Sequence, residues 1–137
     1  MLKRLKAKAE RLGIAVTSID HAAERLPFPD GAFDTVVITL VLCSVDHPAD
    51  SLDEIARVLA KGGELRFMEH VRSGSGWRRF QDFSTPLWQA IAGGCHPNRD
   101  TVAAIKAAGL EAVELRPFTF GPYPVRPHVA GVARKRA

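Results

Sequence analysis

The most constraining feature of this sequence is an almost uninterrupted apolar run at residues 33–42, rich in Val, Ile and Thr. A strand with one solvent-exposed face alternates apolar and polar residues, whereas a strand covered on both faces does not. The run is therefore typical of a strand in the interior of a parallel sheet. It is also far shorter than the roughly 20 apolar residues of a membrane-spanning helix.

The elements around this run alternate in type. Apolar residues recur at helical spacing in residues 2–12 and 48–59, and short apolar runs at residues 14–19 and 64–71 predict strands. Regular alternation of helix and strand predicts an α/β fold with right-handed crossovers and a parallel sheet.

The crossover helix fixes one pairing. Because a helix of crossover length separates residues 36–42 from residues 65–71, we expect these two segments to pair in parallel, with residues 36–42 as the most buried strand. Further along the chain we predict an aromatic helix at 77–91, a short helix at 101–108 and strands at 112–116 and 128–133. The sequence shows no internal repeat, so we expect one core.

Composition argues against several classes of protein. The formal charge is +4, and the basic clusters at the two ends contain no interleaved aromatic residues, so we expect no nucleic-acid partner. We also expect no membrane span, and the start of the sequence has no signal-peptide pattern, which indicates a cytoplasmic protein. Cys43 and Cys95 form no CxxC pair and are expected to be buried free thiols, and we predict no metal site.

Two linked motifs carry a resemblance to a known family. Residues 23–37 read AERLPFPDGAFDTVV and residues 54–65 read EIARVLAKGGEL. They resemble the "AExLPFxDxxFDxV" and "ExxRVLxPGGxL" signatures of class I S-adenosylmethionine-dependent methyltransferases, at the spacing that this fold requires. Shorter matches at residues 39–45, 68–71, 86–88 and 93–95 resemble the methyltransferase-like proteins that act on alkyl thiols, and their bacterial relatives.

The resemblance implies a Rossmann-like fold, with a mostly parallel sheet and helices on both faces. The family's first two strands and its glycine-rich loop have no counterpart in this sequence, so we expect residues 1–137 to be the C-terminal portion of a methyltransferase domain. Residues 14–19 would then have no neighbouring strand. Residues 33–42 would form an exposed sheet edge, which favours self-association.

The resemblance also implies S-adenosylmethionine as the cofactor, bound at the carboxyl ends of the strands. Ala22, Ala23 and Glu24 follow residues 14–19, and the family pattern places adenine against this turn. Ala22 replaces the more common Asp or Ser. The side-chain contact to adenine would therefore come from Asp20, from Glu24 or from water, or be missing.

The next two strand ends carry the remaining candidate residues. The resemblance places Thr39 and Leu40 along the methionine portion of the cofactor, and Glu69 and His70 at the transfer site. Methyl transfer from a sulfonium requires alignment of the acceptor and, where the acceptor is protonated, a general base. His70, beside Glu69, is therefore the candidate base or substrate-orienting residue. The alternative is that His70 only packs and hydrogen-bonds at the end of the sheet.

Together these features predict S-adenosylmethionine-dependent methyl transfer to a small-molecule acceptor. We expect the activity to be impaired in this chain, because the family's ribose-binding acid and glycine-rich loop are missing from the sequence. The alternative is a non-catalytic binding or scaffold module that retains the back half of the fold. The sequence does not specify the acceptor.

Overall fold

The computed structural model describes residues 2–74 and 76–136. The elements, in chain order, are α1 (Leu2–Leu12), β1 (Phe33–Thr39), α2 (Pro48–Val58), β2 (Leu59–His70), α3 (Arg78–Ile91), α4 (Thr101–Ala107), β3 (Leu110–Thr119) and β4 (Pro127–Lys135). None of the described helices has the length and hydropathy needed to cross a membrane.

The four strands form one sheet in the order β1-β2-β4-β3. β1 and β2 are parallel, with Val36 opposite Leu65, which confirms the predicted pairing. β4 is antiparallel to both β2 and β3. The α/β class is thus confirmed, but the sheet is mixed rather than mostly parallel. The physical reason is the short connection at residues 120–126, since a parallel pair needs a crossover of a dozen residues or more.

The hydrophobic core lies between one face of the sheet and helices α2 and α4, which also contact each other. Its buried side chains include Ile38, Leu52, Ile55, Leu65, Phe67, Ile105 and Ala133. The prediction that residues 36–42 form the most buried strand is wrong, because β1 lies at the sheet edge and Val37 is 69% exposed. The most buried strand is β2.

The strand predicted at residues 14–19 does not form. Ile14, Val16 and Ile19 are all exposed, and residues 13–20 pair with no described strand. β-branched composition alone does not hold a strand, because its backbone needs the hydrogen bonds of a neighbouring strand. The predicted exposed edge is present, however, since β1 is the outermost strand on its side of the sheet.

The turn before β1 is fixed to α2 by two charged side chains. Arg57 donates hydrogen bonds to the carbonyl oxygens of Leu26 and Phe28 and to the Asp30 carboxylate, and the N–H of Leu26 donates to Glu54. Arg57 also pairs with Glu54 at 2.8 Å. The two sequence motifs are therefore one physical unit, in which the second motif satisfies backbone groups of the first.

Candidate functional site

β1 and β2 end side by side, and Glu69 of β2 holds the loop that follows β1. Oε1 of Glu69 accepts hydrogen bonds from the N–H groups of Val41 (2.7 Å) and Leu42 (3.1 Å), and Oε2 accepts one from Cys43 (3.3 Å). Burial raises the pKa of Glu69, and the three N–H donors oppose that rise. Both carboxylate oxygens are engaged with the backbone and fix the path of the loop.

Leu40 begins this loop in a strained conformation. Its φ of +54° is the only positive φ of a non-glycine residue among the described parts of the chain. A left-handed backbone at such a residue costs about 1–3 kcal/mol and persists only where neighbouring contacts impose it. Here the N–H of Leu40 donates to the carbonyl of Met68 at 2.9 Å, and Glu69 holds the residues that follow. Such strain is concentrated at ligand sites.

The five predicted cofactor-binding residues lie on loops or at a strand end. Ala22, Thr39 and Leu40 are exposed, and Ala23 and Glu24 are half-buried. Oε1 of Glu24 lies 3.5 Å from the N–H of His47, which brings its loop next to the start of α2.

This donor set fits an adenosyl group only in part. Thr39 provides a hydroxyl and Glu24 the one carboxylate among the five candidates. A nucleoside also has ribose hydroxyls, which favour a second acceptor, and both oxygens of Glu69 already accept backbone hydrogen bonds.

His70 meets both cysteines in a buried cluster. Nδ1 of His70 lies 3.3 Å from Sγ of Cys95, and the side-chain donor atoms of Cys43, His70 and Cys95 all lie within 4.8 Å of one another. The contact between the thiols and their burial raise the pKa of Cys43, and the same contact lowers the pKa of Cys95. The cluster joins the loop after β1, the end of β2 and the turn after α3.

Comparison with known proteins places these features in a family. Residues 1–67 match the family described as "Methyltransferase domain". The thiol S-methyltransferase TMT1B of Rattus norvegicus is 42% identical over 113 residues, which cover 77% of this chain and 45% of the relative. The chain belongs to the class I S-adenosylmethionine-dependent methyltransferases.

Two further proteins show how far this family resemblance extends. The ubiquinone/menaquinone biosynthesis C-methyltransferase UbiE of Enterobacter sp. (strain 638) is 31% identical over 142 residues, covering 88% of this chain and 57% of the relative. A Bacillus halodurans C-125 protein assigned to the methyltransferases shares the fold, with a TM-score of 0.82 and 21% identity over 99% of this chain and 79% of that one. The chain spans about half the length of the curated thiol S-methyltransferases that it matches.

Only part of the candidate site could be predicted from the sequence. It placed Glu69 and His70 together at the end of a strand, and the structure does so. Cys43 and Cys95 are free and buried, as predicted, but their meeting with His70 was not expected. The only sequence signal was that each cysteine lies within four residues of the end of a predicted strand or helix.

Two long polar side chains hold the loops around the cluster. Arg99 donates hydrogen bonds to the carbonyl oxygens of Leu42 and Val45, on either side of Cys43. The buried Gln81 of α3 donates to the carbonyl of Pro97 at 3.0 Å. Both contacts link segments that are distant in sequence, so neither was visible to sequence analysis.

Proposed function

We propose that this chain contributes to S-adenosylmethionine-dependent methyl transfer to a small-molecule acceptor, and that the acceptor is a thiol. The observation that carries the proposal is the loop after β1. This loop begins at the strained Leu40, is fixed by hydrogen bonds to Glu69, and lies at the carboxyl ends of two parallel strands. This is the end of an open α/β sheet where ligands bind. The similarity to a protein named as a thiol S-methyltransferase supports the thiol as acceptor.

On the cofactor side, Ala22, Ala23, Glu24, Thr39 and Leu40 are the residues that would hold S-adenosylmethionine. When bound, this cofactor supplies an electrophilic methyl group on a sulfonium. The protein's own contribution there is positioning, because transfer depends on alignment. We infer that Glu69 acts by fixing the loop rather than by moving a proton, since both of its oxygens accept backbone hydrogen bonds.

On the acceptor side, we propose His70 as the group that orients the thiol or removes its proton. A thiol attacks as the thiolate, so an adjacent imidazole nitrogen is a suitable acceptor for its proton. His70 ends β2 directly after Glu69, and its ring packs against that of His128 at a centroid distance of 4.6 Å. The limited exposure of His70 requires that the acceptor approach through the adjoining loops.

The partial donor set predicts weak cofactor binding by residues 1–137. Each missing hydrogen bond to a charged group is worth about 1.5–3 kcal/mol, so losing two or three removes on the order of 5 kcal/mol, or several thousandfold in affinity. We therefore propose that this chain binds the cofactor with a millimolar dissociation constant and transfers methyl groups slowly. Restoring one of the missing side-chain contacts should therefore raise the affinity for the cofactor measurably.

The test is a gain of binding. Ala22→Asp restores the side-chain acceptor that the family pattern carries, and we expect affinity for S-adenosylmethionine to rise about 3- to 10-fold. Saturation-transfer NMR at millimolar cofactor measures it. Ala49→Asp adds the same charge at an exposed site in α2 and should leave affinity unchanged. Equal effects of the two variants would contradict the placement of the adenine site.

The acceptor class is tested by product analysis. With millimolar S-adenosylmethionine carrying a labelled methyl group, we expect slow formation of a labelled thioether from a short alkyl thiol and none from the alcohol of the same chain length. Mass spectrometry detects both products. Transfer to the alcohol at an equal rate would rule out a thiol-specific site.

A second candidate function is a binding module without catalysis. The observation in its favour is α3, which presents Phe83, Leu87 and Ile91 to solvent, with Phe83 85% exposed. Apolar side chains in a helix are costly to leave exposed and often mark a contact surface. If the protein is such a module, Ala22→Asp will not alter cofactor affinity, and no thioether will form.

A further inference from the structure

Three metal-ligating side chains meet in the interior although they are distant in sequence. Cys43, His70 and Cys95 are each at most 9% exposed, and their donor atoms lie within 4.8 Å of one another. Two sulfurs and an imidazole nitrogen are the donors that Zn²⁺ prefers in proteins. The two cysteines form no paired motif in the sequence, which is why no metal site was predicted there.

The spacing of two of these donors is close to that in tetrahedral coordination, and the third lies within 4.8 Å of both. With Zn–S near 2.3 Å and Zn–N near 2.05 Å, a sulfur and a nitrogen bound to one tetrahedral ion lie about 3.6 Å apart. Nδ1 of His70 and Sγ of Cys95 are 3.3 Å apart. An ion placed between them therefore requires side-chain shifts of only a few tenths of an ångström.

Charge balance also favours a divalent ion. Two thiolates carry two negative charges, and isolated charges are strongly disfavoured in a buried position. One Zn²⁺ neutralises both. The two thiol protons pass to solvent when the ion binds, as expected for metal binding by cysteine.

The surroundings of Cys95 provide an independent indication. The indole N–H of Trp88 is buried and makes no hydrogen bond of normal geometry within residues 2–74 and 76–136. The Trp88 side chain adjoins Cys95. A buried N–H beside a cysteine can serve as an outer contact to a metal-bound sulfur.

We propose that Cys43, His70 and Cys95 bind a single Zn²⁺ ion, with both cysteines as thiolates and His70 coordinating through Nδ1. Three protein ligands leave one tetrahedral position for water or an external ligand. The ion ties together the loop after β1, the end of β2 and the turn after α3. With Nδ1 on the ion, the other ring nitrogen of His70 carries the proton, so in the metal-bound protein His70 can orient an acceptor thiol but cannot remove its proton. Metal binding is measured directly and is tested without methyl transfer.

The experiment uses Co²⁺ as a spectroscopic substitute for Zn²⁺. Residues 1–137 are reduced, freed of metal with a chelator and titrated with Co²⁺ and then with Zn²⁺. We expect one equivalent of Co²⁺ to produce a thiolate-to-cobalt charge-transfer band in the near ultraviolet, and one equivalent of Zn²⁺ to abolish it. No such band in the folded wild-type protein would overturn the proposal without reference to any variant.

Variants assign the ligands. Cys43→Ser, Cys95→Ser and His70→Asn should each lower Zn²⁺ affinity at least ~100-fold in competition with a chromogenic chelator, because each removes a direct ligand. His96→Asn is the matched control, since His96 adjoins Cys95 but lies outside the cluster. Circular dichroism checks that each variant is folded. Zn²⁺ binding that survives in all three folded ligand variants would overturn the proposal.

Discussion

On the face of the sheet that α2 and α4 cover, Leu65 and Phe67 of β2 are at most 4% exposed, whereas on the opposite face Val37 of β1 is 69% exposed. Arg66, between Leu65 and Phe67, also points to the exposed face and pairs with Glu64. Apolar burial therefore stabilises one face, and exposed ion pairs occupy the other. The comparison shows that an apolar strand such as β1 does not reveal how many of its faces are covered.

The largest expected difference is between neighbouring residues of β2. Leu65→Ala should destabilise the protein by about 2–5 kcal/mol, because it leaves a cavity in the core. Arg66→Ala should change stability by less than about 1 kcal/mol, because it removes only an exposed ion pair. Urea unfolding measures both. Similar losses in the two variants would show that the two faces do not differ as described.

A glycine on the covered face gives the second test. A Cβ at Gly131 would lie 2.5 Å from the carbonyl oxygen of Glu114 and 2.7 Å from Cζ of Phe67. The carbonyl belongs to the paired backbone of β3 and cannot move freely, so Gly131→Ala should cost about 1–3 kcal/mol. The control is Gly74→Ala, since Gly74 has open space around it and no positive φ. A stable Gly131→Ala protein would show that β3 and β4 adjust at little cost.

The parts of the fold that sequence predicted correctly depend on local pattern. The helical spacing of α2 and the length of the crossover were sufficient to predict that β1 and β2 pair in parallel. Residues 14–19 were predicted wrongly because a strand is defined by its partner as much as by its composition. The positions of β3 and β4 in the sequence were predicted, but their antiparallel direction was not, because it depends on how the short connection between them packs.

In the candidate site, too, local sequence pattern predicted some features and tertiary packing determined the others. Glu69 and His70 were predicted at a strand end because they adjoin each other in sequence. The role of Glu69 in holding the loop after β1, and the meeting of Cys43 with Cys95, result from tertiary packing. No periodicity or spacing in the sequence encodes such a meeting, so only the structure reveals it.

The two edges of the sheet allow a test of self-association. β1 presents an apolar edge, whereas the opposite edge strand, β3, carries Pro117 and the charged pair Glu114 and Arg116, which disfavour strand pairing. We expect association through β1, and Val37→Lys should reduce it with little change in stability. Sedimentation velocity over a range of concentrations measures association. Val113→Lys, on β3, is the control and should have no effect on self-association. If it reduced self-association as much as Val37→Lys does, association would not be specific to the β1 edge.

The smallest expected effect lies in the ion pairs of the exposed face. Arg134 and Arg66 hold the pKa of Glu64 below its usual 4.5, so the unfolded chain binds the proton more readily than the folded one. The carboxylate therefore adds stability at neutral pH, and this contribution is lost as the pH falls from 4.5 through the lowered pKa. Glu64→Gln should be slightly less stable than the wild type at pH 7 and equally stable once Glu64 is protonated. The gap at pH 7 should also shrink in 1 M NaCl, because salt screens exposed charges. Thermal unfolding across this pH range measures the gap. If the stability difference between Glu64→Gln and the wild type persisted at pH 2 and in high salt, Glu64 would act by packing and not by its charge. The exposed face would then be stabilised in the same way as the covered face.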